Sequence, residues 1–200
     1  MSAQFISENI GVTATHTGVD GAVGVAKKHW FIAIVNHNSE IKSAERLNKA
    51  GYETYVATQK ETRIWRNGRR KTIDRVVISS TVFVFCSEAQ RKAIVGFPFI
   101  FRFLTDKASA SNAAGSPVAV VPPKQMELLR FMLGHSDTPV EITGHTYGKG
   151  DKVRVVRGNL RGVEGEVLAD SDGQSLLIVN LDILGNARCV ISPLDLEPIA

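Results

Sequence analysis

The sequence predicts an α+β protein in two parts: an antiparallel sheet flanked by helices, then a small β-barrel. Three observations predict it. Residues 29–134 alternate β-rich runs with helical apolar stripes in the order β-α-β-β-β-α-β-α. Residues 134–150, "GHSDTPVEITGHTYGKG", are glycine-rich and polar, as an interdomain linker would be. Beyond 150 the pattern is strand and turn only, with about five short strands. The expected organisation is therefore a tail over 1–28, a first domain over 29–134, a linker over 135–149 and a barrel over 150–200.

The elements follow in order. Residues 1–28 are rich in Gly, Ala, Thr and Val and lack the basic-then-apolar order of a signal peptide. They are expected to be a mobile tail, or an arm that folds on binding. "HWFIAIVN" is the first strand. Ser39 then suits a helix N-cap with Glu40 in the first turn, and Ile41, Ala44, Leu47 and Ala50 make one apolar stripe. Gly51 closes that helix. "YETYVATQ" resumes as strand. Asn67-Gly68, inside "RIWRNGRRKTIDRVVIS", is a hairpin signal. "TVFVFC" is β-branched and aromatic, as a central strand would be.

Ser87 is expected to cap a short helix in "SEAQRKAIVGF", followed by extended "FPFIFRFL". "ASASNAAGSP" reads as a loop and "VAVV" as a short strand. "PPKQMELLRFML" opens with prolines and aligns Met126, Leu129 and Leu133, a helix with Pro in its first turn that Gly134 ends.

In the barrel, "DKVRVVRGNLRGVEGEV" alternates valines with charges and carries Gly158, Gly162 and Gly165. Glycine accepts positive φ and close backbone approach. The first two are expected in a tight loop, "RGNLRG", and Gly165 at a second bend in the following strand.

Charge and motifs narrow the function. Lys and Arg number 24 against 20 Asp and Glu, a net charge of +4 that permits a polyanionic partner without requiring one. Cys86 and Cys189 lie far apart and are expected as reduced, buried thiols of a cytoplasmic protein. No apolar run is long enough to span a membrane. The five histidines have no metal-ligand spacing, and no nucleophile elbow, P-loop or dinucleotide fingerprint occurs. The expectation is a protein that is not an enzyme, without metal or cofactor. Seven cations, Lys60, Arg63, Arg66, Arg69, Arg70, Lys71 and Arg75, fall within 16 residues around Trp65. Such a run is either a solvated hairpin or a ribbon that meets phosphates, with Trp65 free to stack on an unpaired base.

The valine and glycine pattern of 151–167 resembles the KOW motif of NusG-type transcription factors and some ribosomal proteins. "HWFIAIV", the helix after it and "RVVISSTVFVF" resemble the NusG N-terminal domain, so the likeness covers roughly residues 29–200. It implies an NGN-like sheet followed by an SH3-like barrel. It also implies a monomeric elongation or antitermination factor that grips the clamp helices of RNA polymerase's largest subunit. Carried over by position, the gripping residues are Trp30, Ile34, Ile78, Thr81, Phe83 and Phe103. As plain core residues the same side chains would simply fill the domain. The basic run, Arg63, Trp65, Arg66, Arg69, Arg70 and Lys71, would then face DNA or nascent RNA. The barrel would recruit a second partner, a ribosomal small-subunit protein being one candidate.

The chain departs from the family at two tetrapeptides. Ile78-Ser79-Ser80-Thr81 stands for Phe-Pro-Gly-Tyr, and Ile183-Leu184-Gly185-Asn186 for Ile-Phe-Gly-Arg. With "VPPKQMELLRFML" these departures resemble operon-specific, UpxY-type paralogs. The alternative is a ribosome-associated or general RNA-binding KOW protein; the strand–helix–strand module ahead of the barrel favours the first reading.

Overall fold

The structure, a computed structural model, describes residues 26–66, 68–106, 116–143, 150–169 and 172–199. Most of the expected tail, the loop at 107–115, Asn67 and residues 144–149 lie outside the described residues.

The first sheet is antiparallel. Strand β1 (Lys28–Val35) pairs along its length with β5 (Thr81–Ser87), and β2 (Glu53–Tyr55) pairs with β5 on the far side. The other edge of β1 is taken by β6 (Ile100–Phe103) and, nearer its start, by β7 (Val120–Val121). A bulge between Ile34 and Val35 shifts the β1–β6 register. "YETYVATQ" is not one strand: it breaks at Val56-Ala57, and β3 (Thr58–Ile64) leaves the sheet to form a separate ribbon with β4 (Arg70–Val76).

Strand alternation sends the side chains of β1 and β5 to opposite faces. Phe31, Ala33, Val35, Val82, Val84 and Cys86 meet helix α1 (Glu40–Lys49) through Ala44 and Leu47, and helix α2 (Glu88–Ile94) through Ile94. Trp30, Ile32 and Phe83 face the other way, toward Met126, Leu129, Met132 and Leu133 of helix α3 (Pro123–His135). Each helix begins where its chemistry allows. Ser87 and Gln90 form a reciprocal capping box at α2, and Pro123 opens α3, whose first N–H groups need no internal partner. Gly134 does not end α3, which continues to His135. Ser39 precedes α1 without capping it; its hydroxyl donates to Asn36 O at 2.7 Å. Gly51, at φ +86°, takes the left-handed position after that helix.

The second sheet has six strands in the order β13-β9-β10-β11-β12-β8. They are β8 (Glu141–Thr143), β9 (Asp151–Val155), β10 (Glu164–Ala169), β11 (Ser175–Asn180), β12 (Asn186–Val190) and β13 (Leu196–Pro198). Five were expected. The sixth, β8, comes from the segment read as linker and pairs with β12. Gly158 and Gly162 have φ of +76° and +92°, so the loop uses glycine for its backbone freedom. Gly165 differs: it is a regular rung opposite Val153, and a Cβ there would land on the Ile178 carbonyl oxygen. Close approach of two strands requires it, rather than a bend.

One hydrophobic cluster runs from Trp30, Ile32 and Phe83 through α3 and Val140 to Val153, Val155, Leu177 and Val179. Both sheets therefore share a core.

Candidate functional site

The expected polymerase-facing residues separate into three groups. Trp30 and Phe83 are core: Trp30 is 7% exposed and Phe83 0%, beneath α3. Trp30 stacks beside Phe85, ring centroids 5.2 Å apart, and Phe83 lies 6.0 Å from Tyr55. Arg130 of α3 spreads over both Trp30 and Tyr55, 4.7 Å from each ring centroid. Burial raises the Tyr55 phenol above its usual pKa, and the Arg130 charge opposes that rise.

Ile34, Ile78 and Thr81 gather at the opposite end of the same face. Ile34 sits opposite Thr81 in the ladder, and the backbone joins them again where Val35 N–H donates to Ser80 O at 2.9 Å. Ile34 and Ile78 are half-buried, as are Val77 and Leu104 beside the same core. Thr81 is buried and donates its hydroxyl to Ser79 O at 3.1 Å. Phe103 is on neither patch. It pairs with Ala33, packs edge-to-face on Phe31 at 6.1 Å and belongs to the opposite face of the sheet. Its pairing with Ala33 decides its side, and that pairing is not visible in the residue order.

The turn before Thr81 has its own chemistry. Ser80 has φ +58°, in the left-handed region. Its N–H donates to Glu40 Oε1 at 2.6 Å, and Glu40 is only 2% exposed. In the family tetrapeptide a glycine falls at this position. Glu40, read from sequence as a first-turn acid, also braces a loop from another part of the chain.

The basic residues come together at the end of the β3–β4 ribbon. Arg63 stands opposite Lys71 and Ile64 opposite Arg70. The turn is closed by Trp65 N–H to Arg69 O at 2.9 Å and Gly68 N–H to Trp65 O at 2.8 Å. Trp65 is 58% exposed and Ile64 66%. Glu61 pairs with both Arg63 (3.0 Å) and Arg75 (3.3 Å), so these two lie beside an acid. Arg66, Arg69, Arg70 and Lys71 are all exposed. Arg75 is not part of the tip; it turns inward at the ribbon's root. On the barrel, Arg154 is paired with Glu164 at 2.6 Å, while Arg157 and Arg161 are exposed on the glycine loop.

Comparison with known proteins bears on this arrangement. The model of the NusG family, described as transcription termination factor nusG, matches residues 28–130, more than half of the chain. The chain belongs to the NusG family. The match spans β1 to most of α3 and leaves the second sheet outside it. Among solved structures, one of Thermotoga maritima NusG, described by its domain interaction, is 17% identical. It covers 87% of this chain and 98% of its own, with a TM-score of 0.47. The MjSpt4:Spt5 complex in its conformation A is 12% identical and covers 86% of this chain and 98% of its own, with a TM-score of 0.26. No curated protein matches the chain. The family assignment rests on the family model. Members of the family are transcription factors, and among the described residues no helix is long and apolar enough to cross a membrane.

Sequence reasoning missed three residues: Gln59, Arg130 and the second role of Glu40. Each acts across a long sequence separation, and no local pattern marks them.

Proposed function

We propose that this chain is a transcription elongation and antitermination factor, specific to particular operons and active by binding rather than catalysis in the cytoplasm. The observation that carries the reading is the half-buried apolar end of the first sheet, formed by Ile34 of β1, Thr81 opposite it at the start of β5, and Ile78 in the turn before Thr81. A half-buried apolar patch of this kind suits an amphipathic helix, and the clamp helices of RNA polymerase are the proposed occupant. Trp30 and Phe83, buried under α3 farther along the same face, do not touch the partner. Phe103, on the other face, is no part of it. Arg63, Trp65, Arg66, Arg69, Arg70 and Lys71 meet DNA or nascent RNA, mainly through phosphates. The second sheet, with Gly158, Gly162 and Gly165 in a KOW-like motif, recruits a further protein, a ribosomal small-subunit protein being the candidate. A factor that prefers the closed clamp shifts polymerase toward its processive state.

The test is retention of the protein on immobilised core RNA polymerase. Ile78→Asp puts a charge where docking would desolvate it, and is expected to abolish retention with an unchanged circular dichroism spectrum. Undiminished retention of the folded variant removes this patch from the proposal. Co-purification with ribosomal subunits instead of polymerase would favour the ribosome-associated alternative.

A further inference from the structure

The segment that links the two sheets is gripped from both sides. On the side of the first domain, the grip is the root of the β3–β4 ribbon. Gln59 is 7% exposed, and its amide is fully engaged. Its Nε2 donates to Thr138 O at 2.9 Å and more weakly to Ser136 O at 3.5 Å. Its Oε1 accepts from Val140 N–H at 2.9 Å and from Arg75 Nη2 at 3.3 Å. An amide side chain has two donors and two acceptor positions, and all four are used here. Arg75 Nη2 also donates to Val140 O at 3.1 Å, so the N–H and the carbonyl of Val140 are both read by ribbon side chains. The Val140 side chain is fully buried in the cluster that contains Ala57 and Leu133. Glu61 holds Arg75 in place by an ion pair at 3.3 Å.

On the side of the barrel, the same segment is bound again. Thr138 Oγ1 donates to Val190 O at 2.9 Å, and Asn159 Nδ2 donates to Asp137 Oδ1 at 2.9 Å. Residues 141–143 then become β8 and pair with β12, where Glu141 meets Arg188. A third tie lies away from the segment, between Gln125 of α3 and Asp182.

We propose that Gln59 and Arg75 form a binding site for residues 136–140 of the chain itself, a latch that holds the two sheets as one body. The latch reads main-chain groups of an extended segment and one buried valine, which is how a short peptide is bound in register. The buried Gln59 amide and the half-buried Arg75 guanidinium would be penalised if left without these partners, so the docked state disfavours a half-released one. The polar ribbon has two ends with separate tasks: the exposed tip carries the cations, and the root fixes the barrel. Movement of the ribbon is therefore felt at β8. This inference does not depend on the polymerase reading.

Spin labels report it in the full chain. Lys49→Cys and Leu194→Cys place one label on each domain at exposed positions, while native Cys86 and Cys189 are buried and stay unlabelled. The expected result is a single narrow inter-label distance distribution. Gln59→Leu, similar in size but unable to hydrogen-bond, is expected to replace it with a broad, multi-component one while circular dichroism stays unchanged. Should Gln59→Leu fail to fold, Arg75→Lys is read in its place. It keeps the charge beside Glu61 but cannot serve Gln59 and Val140 together, and partial broadening is expected. A broad distribution in the unsubstituted protein overturns the latch, as does a narrow one that persists in the folded variant.

Discussion

The guanidinium of Arg130 lies 4.7 Å from the centroid of the Trp30 ring and the same distance from that of Tyr55. A cation between two aromatic faces ties α3 to strands β1 and β2 of the first sheet. Arg130 is exposed on its outer side, so its contribution is that of a surface cation–π contact. Arg130→Ala is expected to lower stability by about 1 kcal/mol, with Arg130→Lys losing less. Denaturant unfolding followed by tryptophan fluorescence checks this, because buried Trp30 senses the change directly. Equal stability of all three proteins would show the stacking to be inert.

Ser80 occupies a left-handed backbone position at φ +58°, where a side chain costs energy that glycine avoids. Ser80→Gly is expected to stabilise the first domain by roughly 0.5–1 kcal/mol, since glycine's extra freedom in the unfolded chain offsets part of the gain. Ser80→Val should destabilise it. A thermal melt of both variants decides the sign.

The ribbon tip makes a claim about salt. Replacing Arg66, Arg69 and Arg70 with Gln should weaken binding to a nucleic-acid scaffold strongly at low salt and little at high salt. If about three phosphates are met, the slope of log affinity against log salt falls by roughly 2–3 units. Binding to polymerase without nucleic acid should hardly change. An unaltered slope would reduce the ribbon to a solvated surface.

Alkaline pH should destabilise the protein through its two buried thiols. Burial pushes the Cys86 thiol from 9.0 up to about 11, with the Arg91 charge opposing the rise. Burial likewise raises Cys189, against hydrogen bonds from Ser136 and Thr138. The folded state holds these protons more tightly than the unfolded state does. Their stabilising effect is complete below the unfolded value and is lost as pH climbs through the folded one. Stability should be flat near neutrality and fall between pH 9.0 and about 11. Thiol-reactive reagents at neutral pH should leave both cysteines unmodified until denaturant is added.

Local chemistry made much of the fold readable. The Ser87–Gln90 capping box, the prolines before α3 and the β-branched run of β5 each act within a few residues, and each element formed where its signals lie. The cations of 63–71 gather at one tip because a hairpin needs only its own two strands. What escaped is non-local. Phe103 lies on the other face because its side is set by its pairing with Ala33 between β6 and β1. Gly165 is required by a carbonyl on β11, some distance along the chain. Gln59 looks like any polar strand residue until the segment at 136–140 folds back over it.

Strand β8 has a practical consequence. Because Glu141–Thr143 completes the edge beside β12, a fragment cut at the glycine-rich boundary near residue 150 would lack its outermost strand. Strand β12, still paired with β11 on its inner side, would then become the exposed edge of the sheet, an invitation to edge-to-edge association. A workable expression boundary for the barrel therefore lies upstream of Pro139, and a fragment begun there should be monodisperse where the shorter one self-associates.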